Sequence, residues 1–132
     1  MKKLLITSIF FITLNSLSQT KSEIQQSLIE MANDMNANLP MNIDKYTVLV
    51  NVSGNFGKLF YNYIIDESLF TDFGYTKDEW KKLQYEAIKN SFCTNPTFSF
   101  FKQYDIPLTW NYSQTDGVFI HKIELSGNDC KE

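Results

Sequence analysis

Four short segments that alternate apolar and polar residues, arranged in two pairs, constrain the fold of this chain most strongly. The first pair is Tyr46–Val52 and Lys58–Ile65, and the second is Leu108–Tyr112 and Val118–Leu125. Alternation with a period of two is typical of strands that bury one face. Turn residues separate the members of each pair, most clearly Asp116-Gly117, so the sequence predicts two β-hairpins. In the first strand one face would carry Tyr46, Val48, Val50 and Val52.

Helical periodicity occupies the regions before and between the hairpins. Apolar residues at helical spacing predict one helix over Ser22–Ala37. A capping-box pattern at Thr76 and Glu79 starts a second helix that ends near Cys93. A proline soon afterwards favours a third, short helix over Thr97–Tyr104.

The order of these elements is α-β-β-α-α-β-β. Residues 66–75 show no clean period and are interpreted as a connection with a short helical turn over 68–72. Two hairpins with helices around them favour the α+β class. We therefore predict a two-layer domain in which an antiparallel sheet of about four strands carries the helices on one face.

The N-terminus has the layout of a signal peptide. Met1–Lys3 is positively charged, the run from Leu4 to Leu14 is apolar, and Ser16 and Ser18 supply the small residues of a cleavage site. The apolar run is too short for a transmembrane helix, which needs about 20 residues. The sequence predicts a signal peptide over 1–18 and a single α+β domain over 19–132, located in the periplasm or secreted.

Export changes the interpretation of the two cysteines, Cys93 and Cys130. In an oxidising compartment an even number of cysteines is most simply explained by a disulfide. The alternative is two free thiols, and the spacing fits no redox or metal-binding motif.

Composition excludes several classes of protein. The sequence has a net charge of −3, two cysteines, one histidine and no arginine among its 12 basic residues. Zinc fingers, iron–sulfur clusters and multi-histidine metal sites need more ligands than this. A basic stripe, the usual mark of nucleic-acid binding, is also missing. We predict no metal, no cofactor and no nucleic-acid partner.

The single histidine, His121, is the one candidate for acid–base chemistry near neutral pH. It shares a predicted strand face with Phe119, Ile123 and Leu125, which favours a position in or beside the core. A catalytic role would require a carboxylate or nucleophile beside it, and the sequence contains no G-x-S-x-G motif. No catalytic residue is assigned.

The segment between the first helix and the first strand carries polar residues at Asn36, Asp44 and Thr47. One interpretation is a binding loop on a rigid scaffold, for which these three residues are candidates. The other is structural, because Asn and Asp side chains often bond to loop backbone.

Four motifs carry a resemblance to known proteins: N-x-x-x-P-M-x-x-D-x-x-T from Asn36 to Thr47, Y-N-Y at Tyr61–Tyr63, C-T-N-P at Cys93–Pro96, and the Asp116-Gly117 hairpin followed by Asp129-Cys130. In these motifs the chain resembles small exported bacterial proteins of unknown function. In size, export and layout it is similar to the quorum-sensing-regulated secreted virulence factor family of pseudomonads. The resemblance implies an exported α+β domain with a bridge between Cys93 and Cys130, and supplies no catalytic residues.

These observations predict an exported, non-enzymatic binding or interaction module that does not span the membrane after signal cleavage. Its partner would be another protein. Two alternatives stay open: a small secreted hydrolase that uses His121 with a carboxylate, and an inhibitor or immunity-type protein that blocks an enzyme.

Overall fold

The computed structural model describes residues 20–131, so the predicted signal peptide over 1–18 lies outside the described part of the chain. Within that part, no helix combines the length and the apolar character that a membrane crossing requires. The described residues form helices on one side of a five-stranded sheet. The predicted α+β class is therefore confirmed.

The two long helices begin where the sequence supplies capping side chains. The α-helices are α1 (Lys21–Asn36), α2 (Ser68–Phe73), α3 (Lys77–Thr94) and α4 (Ser99–Gln103), and α4 continues a 3₁₀ turn over Pro96–Phe98. The Thr20 side chain accepts a hydrogen bond from the Glu23 amide at 3.1 Å at the start of α1. The predicted capping box at the start of α3 is complete, because Thr76 and Glu79 each bond the other's backbone amide.

The sheet differs from the prediction in strand number and direction. Its strands are β1 (Met41–Asn42), β2 (Thr47–Asn55), β3 (Lys58–Ile65), β4 (Leu108–Gln114) and β5 (Phe119–Leu125), in the order β1-β2-β3-β4-β5. There are five strands rather than about four, because the two-residue β1 is too short to show a period. The sheet is also not wholly antiparallel, since β3 and β4 pair in parallel. A helical crossover over residues 66–107 returns the chain in its original direction, which joins the two hairpins side by side.

Two bulges change which side chains face the helices. The register skips Val50 in β2. Leu49 and Val52 are therefore both buried, although they would lie on opposite faces of a regular strand. The predicted face that joined Val48, Val50 and Val52 is therefore wrong. The register also skips Ile120 in β5, and Phe119 is 57% exposed rather than sharing a face with His121.

The core lies between the helices and one face of the sheet. Leu28 of α1 and Phe92 of α3 are fully buried, and the Phe92 ring packs edge-on against Trp110 of β4. Helix α1 lies so close to β2 that a Cβ at Gly54 would come within 2.7 Å of the Leu28 backbone carbon. The predicted disulfide between Cys93 and Cys130 is present and joins the end of α3 to the C-terminal 3₁₀ turn over Gly127–Cys130.

Candidate functional site

A groove of about 530 Å³ opens on the helical side of the sheet, between α2 and α3 on one side and the loop before β2 on the other. We call it the aromatic groove. Its lining residues are mostly apolar: Ile43, Asp44, Thr47, Tyr63, Leu69, Phe73, Tyr75, Trp80, Leu83, Gln84, Ala87, Ile88 and Tyr112. A concave, mainly apolar surface with a few polar groups is the usual form of a binding site.

The floor of the groove is a packed aromatic cluster. Tyr63 of β3 and Tyr112 of β4 stack with ring centroids 4.9 Å apart, and Trp80 packs edge-on against Tyr112 at 5.2 Å. Gln84 donates a hydrogen bond from Nε2 to the Tyr112 hydroxyl at 3.1 Å. Burial raises the pKa of Tyr112 to about 12 and also raises the pKa of Tyr63. Both phenols are therefore neutral at physiological pH, and the floor is uncharged.

The walls of the groove expose large apolar side chains. Ile43 is 50% exposed, Phe73 57% and Leu83 46%, and Tyr75 stacks on Phe73 with ring centroids 5.9 Å apart. These four residues come from the loop before β2, from α2 and its C-terminal flank, and from α3. Isolated exposed apolar residues are ordinary, whereas a contiguous group around a cavity marks an interaction surface.

One end of the groove is acidic. The Asp44 carboxylate lines the groove and accepts a hydrogen bond from the Tyr46 amide at 2.8 Å, which fixes the turn before β2. Beside it, the Tyr46 hydroxyl donates to Asp72 Oδ2 at 2.7 Å, and this bond is the main reason why the Tyr46 pKa is raised. The Lys45 Nζ lies nearby, 5.3 Å from the centroid of the Tyr46 ring, so the two carboxylates of Asp44 and Asp72 leave this end with a net negative charge.

The three predicted binding residues separate into two groups. Asp44 and Thr47 both line the groove, as a binding role would require. Asn36 lies elsewhere, at the end of α1. Its side-chain amide donates to the Val52 carbonyl at 2.7 Å and its Oδ1 accepts from the Val52 amide at 2.8 Å. A ligand-binding role for any of the three stays a prediction.

Asn36 and Gln25 together close the outer edge of β2. Gln25 of α1 donates from Nε2 to the Gly54 carbonyl at 3.0 Å, and its Oε1 accepts from the Gly57 amide at 2.7 Å. Asn36 continues along β2 the ladder that β1 begins, and Gln25 bonds the end of β2 and the turn after it, so α1 supplies hydrogen bonds that a further strand would otherwise make.

His121 lies outside the groove lining, beside Trp80, with ring centroids 6.2 Å apart. Its Nε2 atom is buried and has no hydrogen-bond partner in the described structure. Burial and the positive charge of Lys81 lower the His121 pKa. Among residues 20–131, no group of three or more His, Cys, Asp or Glu side chains is arranged to hold a metal ion.

No protein-family model matches the chain, and no curated protein matches it at the level of sequence. Solved structures do match its fold. A candidate secreted protein from Pseudomonas aeruginosa aligns with a TM-score of 0.73 and 12% identity, over 86% of this chain and 99% of that one. The pilotin EpsS of the Vibrio vulnificus type 2 secretion system aligns with a TM-score of 0.70 and 11% identity, over 85% and 96% of the two chains.

A second pilotin, AspS of the type II secretion system of Vibrio cholerae, aligns with a TM-score of 0.63 and 11% identity, over 83% of this chain and 94% of that one. At these identities the likeness shows a shared fold. The disulfide adds an independent observation, because such bonds are typical of proteins outside the cytoplasm.

Proposed function

We propose that this chain is an exported, non-enzymatic protein-interaction module whose aromatic groove binds an apolar segment of a partner protein. The observation that carries the proposal is the aromatic groove itself. Exposed Ile43, Phe73, Tyr75 and Leu83 surround a floor that packing holds fixed. A preformed apolar cleft of this kind loses little conformational entropy on binding, and buried aromatic contacts dominate most protein interfaces.

The charge of the groove selects among apolar segments. Asp44 places a carboxylate at one end, and the neutral phenols of Tyr63 and Tyr112 add no further charge. We propose that the bound segment carries a lysine or arginine next to its apolar residues. A positive residue there would pair with Asp44 at the rim, where charge mainly affects specificity and association rate.

The structural neighbours support a partner in protein export. Two of them are pilotins of a type 2 secretion system and the third is a candidate secreted protein. We therefore propose that the partner is a component of an export machinery in the cell envelope. The inhibitor or immunity-type alternative would use the same surface and differ in the class of partner.

The hydrolase alternative gains no support from the geometry around His121. The ionisable side chain that acts on it is Lys81, a cation, and its Nε2 atom is shielded from solvent. A general base needs an accessible nitrogen within hydrogen-bond reach of the substrate.

The proposal is tested by site-specific photo-crosslinking in the organism that produces the chain. A photoreactive amino acid replaces Leu83 in the groove or, as a matched control, Ile29 on the exposed side of α1, which is 37% exposed. We expect the Leu83 position to yield one dominant adduct, identified by mass spectrometry as an envelope export protein. Equal labelling from the two positions would contradict a groove-specific partner.

Binding is then measured with the crosslinked segment as a synthetic peptide. Leu83→Asp and Ile29→Asp place the same charge at exposed positions, so both variants should keep the wild-type melting temperature. We expect only Leu83→Asp to abolish binding, and Asp44→Asn to weaken it and reduce its dependence on salt. Unchanged affinity in Leu83→Asp would refute the groove as the docking site.

A further inference from the structure

The two edges of the sheet are treated differently by the rest of the fold. The outer edge of β2 is covered by β1 and by the side-chain amides of Asn36 and Gln25. On β5, at the opposite edge, no hydrogen bond within residues 20–131 reaches the outward backbone groups of residues 119–125 beyond the pairing with β4. An uncovered edge strand is a template for pairing with another strand.

The part of β5 without a bulge is five residues long, so it has a central residue. The bulge at Ile120 interrupts the ladder at one end, and the strand ends at Leu125 before the C-terminal 3₁₀ turn. The stretch from His121 to Leu125 therefore has Ile123 at its centre. A two-fold axis through Ile123 would pair this stretch with the same stretch of a second copy in antiparallel fashion.

The charges on this stretch are self-complementary in that register. Lys122 and Glu124 are both exposed, and both point to the face of the sheet away from the helices, where Glu124 meets Lys58 at 2.9 Å. With the axis at Ile123, Lys122 lies directly opposite Glu124 of the second copy, and the reverse pair forms by symmetry. Opposite charges in directly facing positions stabilise an antiparallel pair, and like charges destabilise it.

The neighbouring symmetric register is disfavoured by the same charges. An axis at Lys122 would overlap the whole of β5, including the bulge, but would place one lysine opposite the other. Charges on an edge strand commonly prevent pairing. Here the Lys-Ile-Glu spacing blocks the lysine-centred register and permits the register centred on Ile123.

We propose that a second copy of this chain pairs with β5 through the two-fold axis at Ile123, which joins two five-stranded sheets into one continuous sheet. The surface lies on the strand edge and does not include the aromatic groove, so each copy would keep its groove open. The proposal is independent of the groove and its partner.

Charge reversal tests the pairing. Sedimentation equilibrium of the mature protein, from micromolar to millimolar concentration, should show a reversible dimer. Lys122→Glu and Glu124→Lys should each weaken dimerisation about tenfold or more, because each creates two like-charge pairs. An equimolar mixture of the two variants should recover a heterodimer, and the double variant should recover the homodimer.

Two control variants test whether dimerisation depends on the β5 edge and not on the Lys58–Glu124 ion pair or the aromatic groove. Lys58→Gln removes the intramolecular ion pair of Glu124 and leaves the edge charges intact, so it should dimerise like the wild type. Leu83→Asp, which disables the groove, should do the same. In hydrogen exchange, those amides of residues 121–125 that point away from β4 should become protected as concentration rises. A wild type that is monomeric throughout the range, a mixture that forms no heterodimer, or a dimer without protection at β5 would overturn the proposal.

Discussion

Replacing Asn36 by alanine tests whether α1 supplies the hydrogen bonds of a missing edge strand. The substitution removes two hydrogen bonds and leaves the Val52 amide and carbonyl without their partner. An unsatisfied buried backbone group costs about 1–3 kcal/mol. The pair is only partly buried, so water satisfies part of this demand. We expect the free energy of unfolding to fall by about 2–3 kcal/mol.

Urea denaturation followed by circular dichroism measures this change, with Asn33→Ala as the matched control. Asn33 lies on the same helix and is exposed, so its replacement reports the effect of Asn→Ala on helix propensity alone. Asn36→Asp is a stricter variant, because a carboxylate accepts from the Val52 amide but cannot donate to its carbonyl. It should remain destabilised. A difference of less than about 0.5 kcal/mol between Asn36→Ala and Asn33→Ala would refute the edge-sealing role.

Three further predictions follow from the structure. Cys130→Ser opens the disulfide and should lower the free energy of unfolding by about 2–5 kcal/mol, measured by urea denaturation beside reduced wild type, which should match it. Gly54→Ala should lower the melting temperature more than Gly117→Ala. The first substitution places a Cβ 2.7 Å from the Leu28 backbone, whereas the second has open space around its Cβ and strains only a backbone with φ of 87°. Equal changes in melting temperature would contradict the close packing of α1 on β2. The lowered pKa of His121 means that the unfolded chain binds its proton more readily, so stability should be full above a pH of about 6.5 and be lost as pH falls toward the folded-state pKa. His121→Gln should flatten that part of the urea-midpoint profile, and an unchanged slope would exclude His121 as its source.

Local signals in the sequence were enough to predict most of the elements. The capping box at Thr76 and Glu79 starts α3, and Gly117 has the positive φ that its turn requires. Both signals depend only on residues close in sequence, so they can be recognised without knowledge of the tertiary structure. The Cys93–Cys130 bridge was predictable for a different reason, because a chain expected to be exported contains only these two cysteines.

The groove depends on features that no local pattern records. Phe73 and Tyr75 fall in a region without a period, and their exposure depends on how α2 meets the loop before β2. Leu83 shares the apolar side of α3 with Trp80, yet it is 46% exposed because it lines a cavity instead of contacting the sheet. Asp44 and Thr47 were candidates because they lie in the polar segment between the first helix and the first strand, but the same criterion selected Asn36, which lies outside the groove. The parallel pairing of β3 with β4 is equally nonlocal.

That parallel pairing divides the domain into two units for folding. Residues 21–65 form α1 and the first hairpin, whereas residues 77–130 contain α3, the second hairpin and the C-terminal 3₁₀ turn. The contacts within each hairpin are close in sequence. The parallel pairing of β3 with β4 instead joins residues 59–65 to 108–114. It closes a long loop and should therefore form late in folding. Both cysteines of the disulfide lie in the second unit, so the disulfide does not link the two units. Partial unfolding should therefore release the N-terminal unit first, while the disulfide holds the C-terminal unit together.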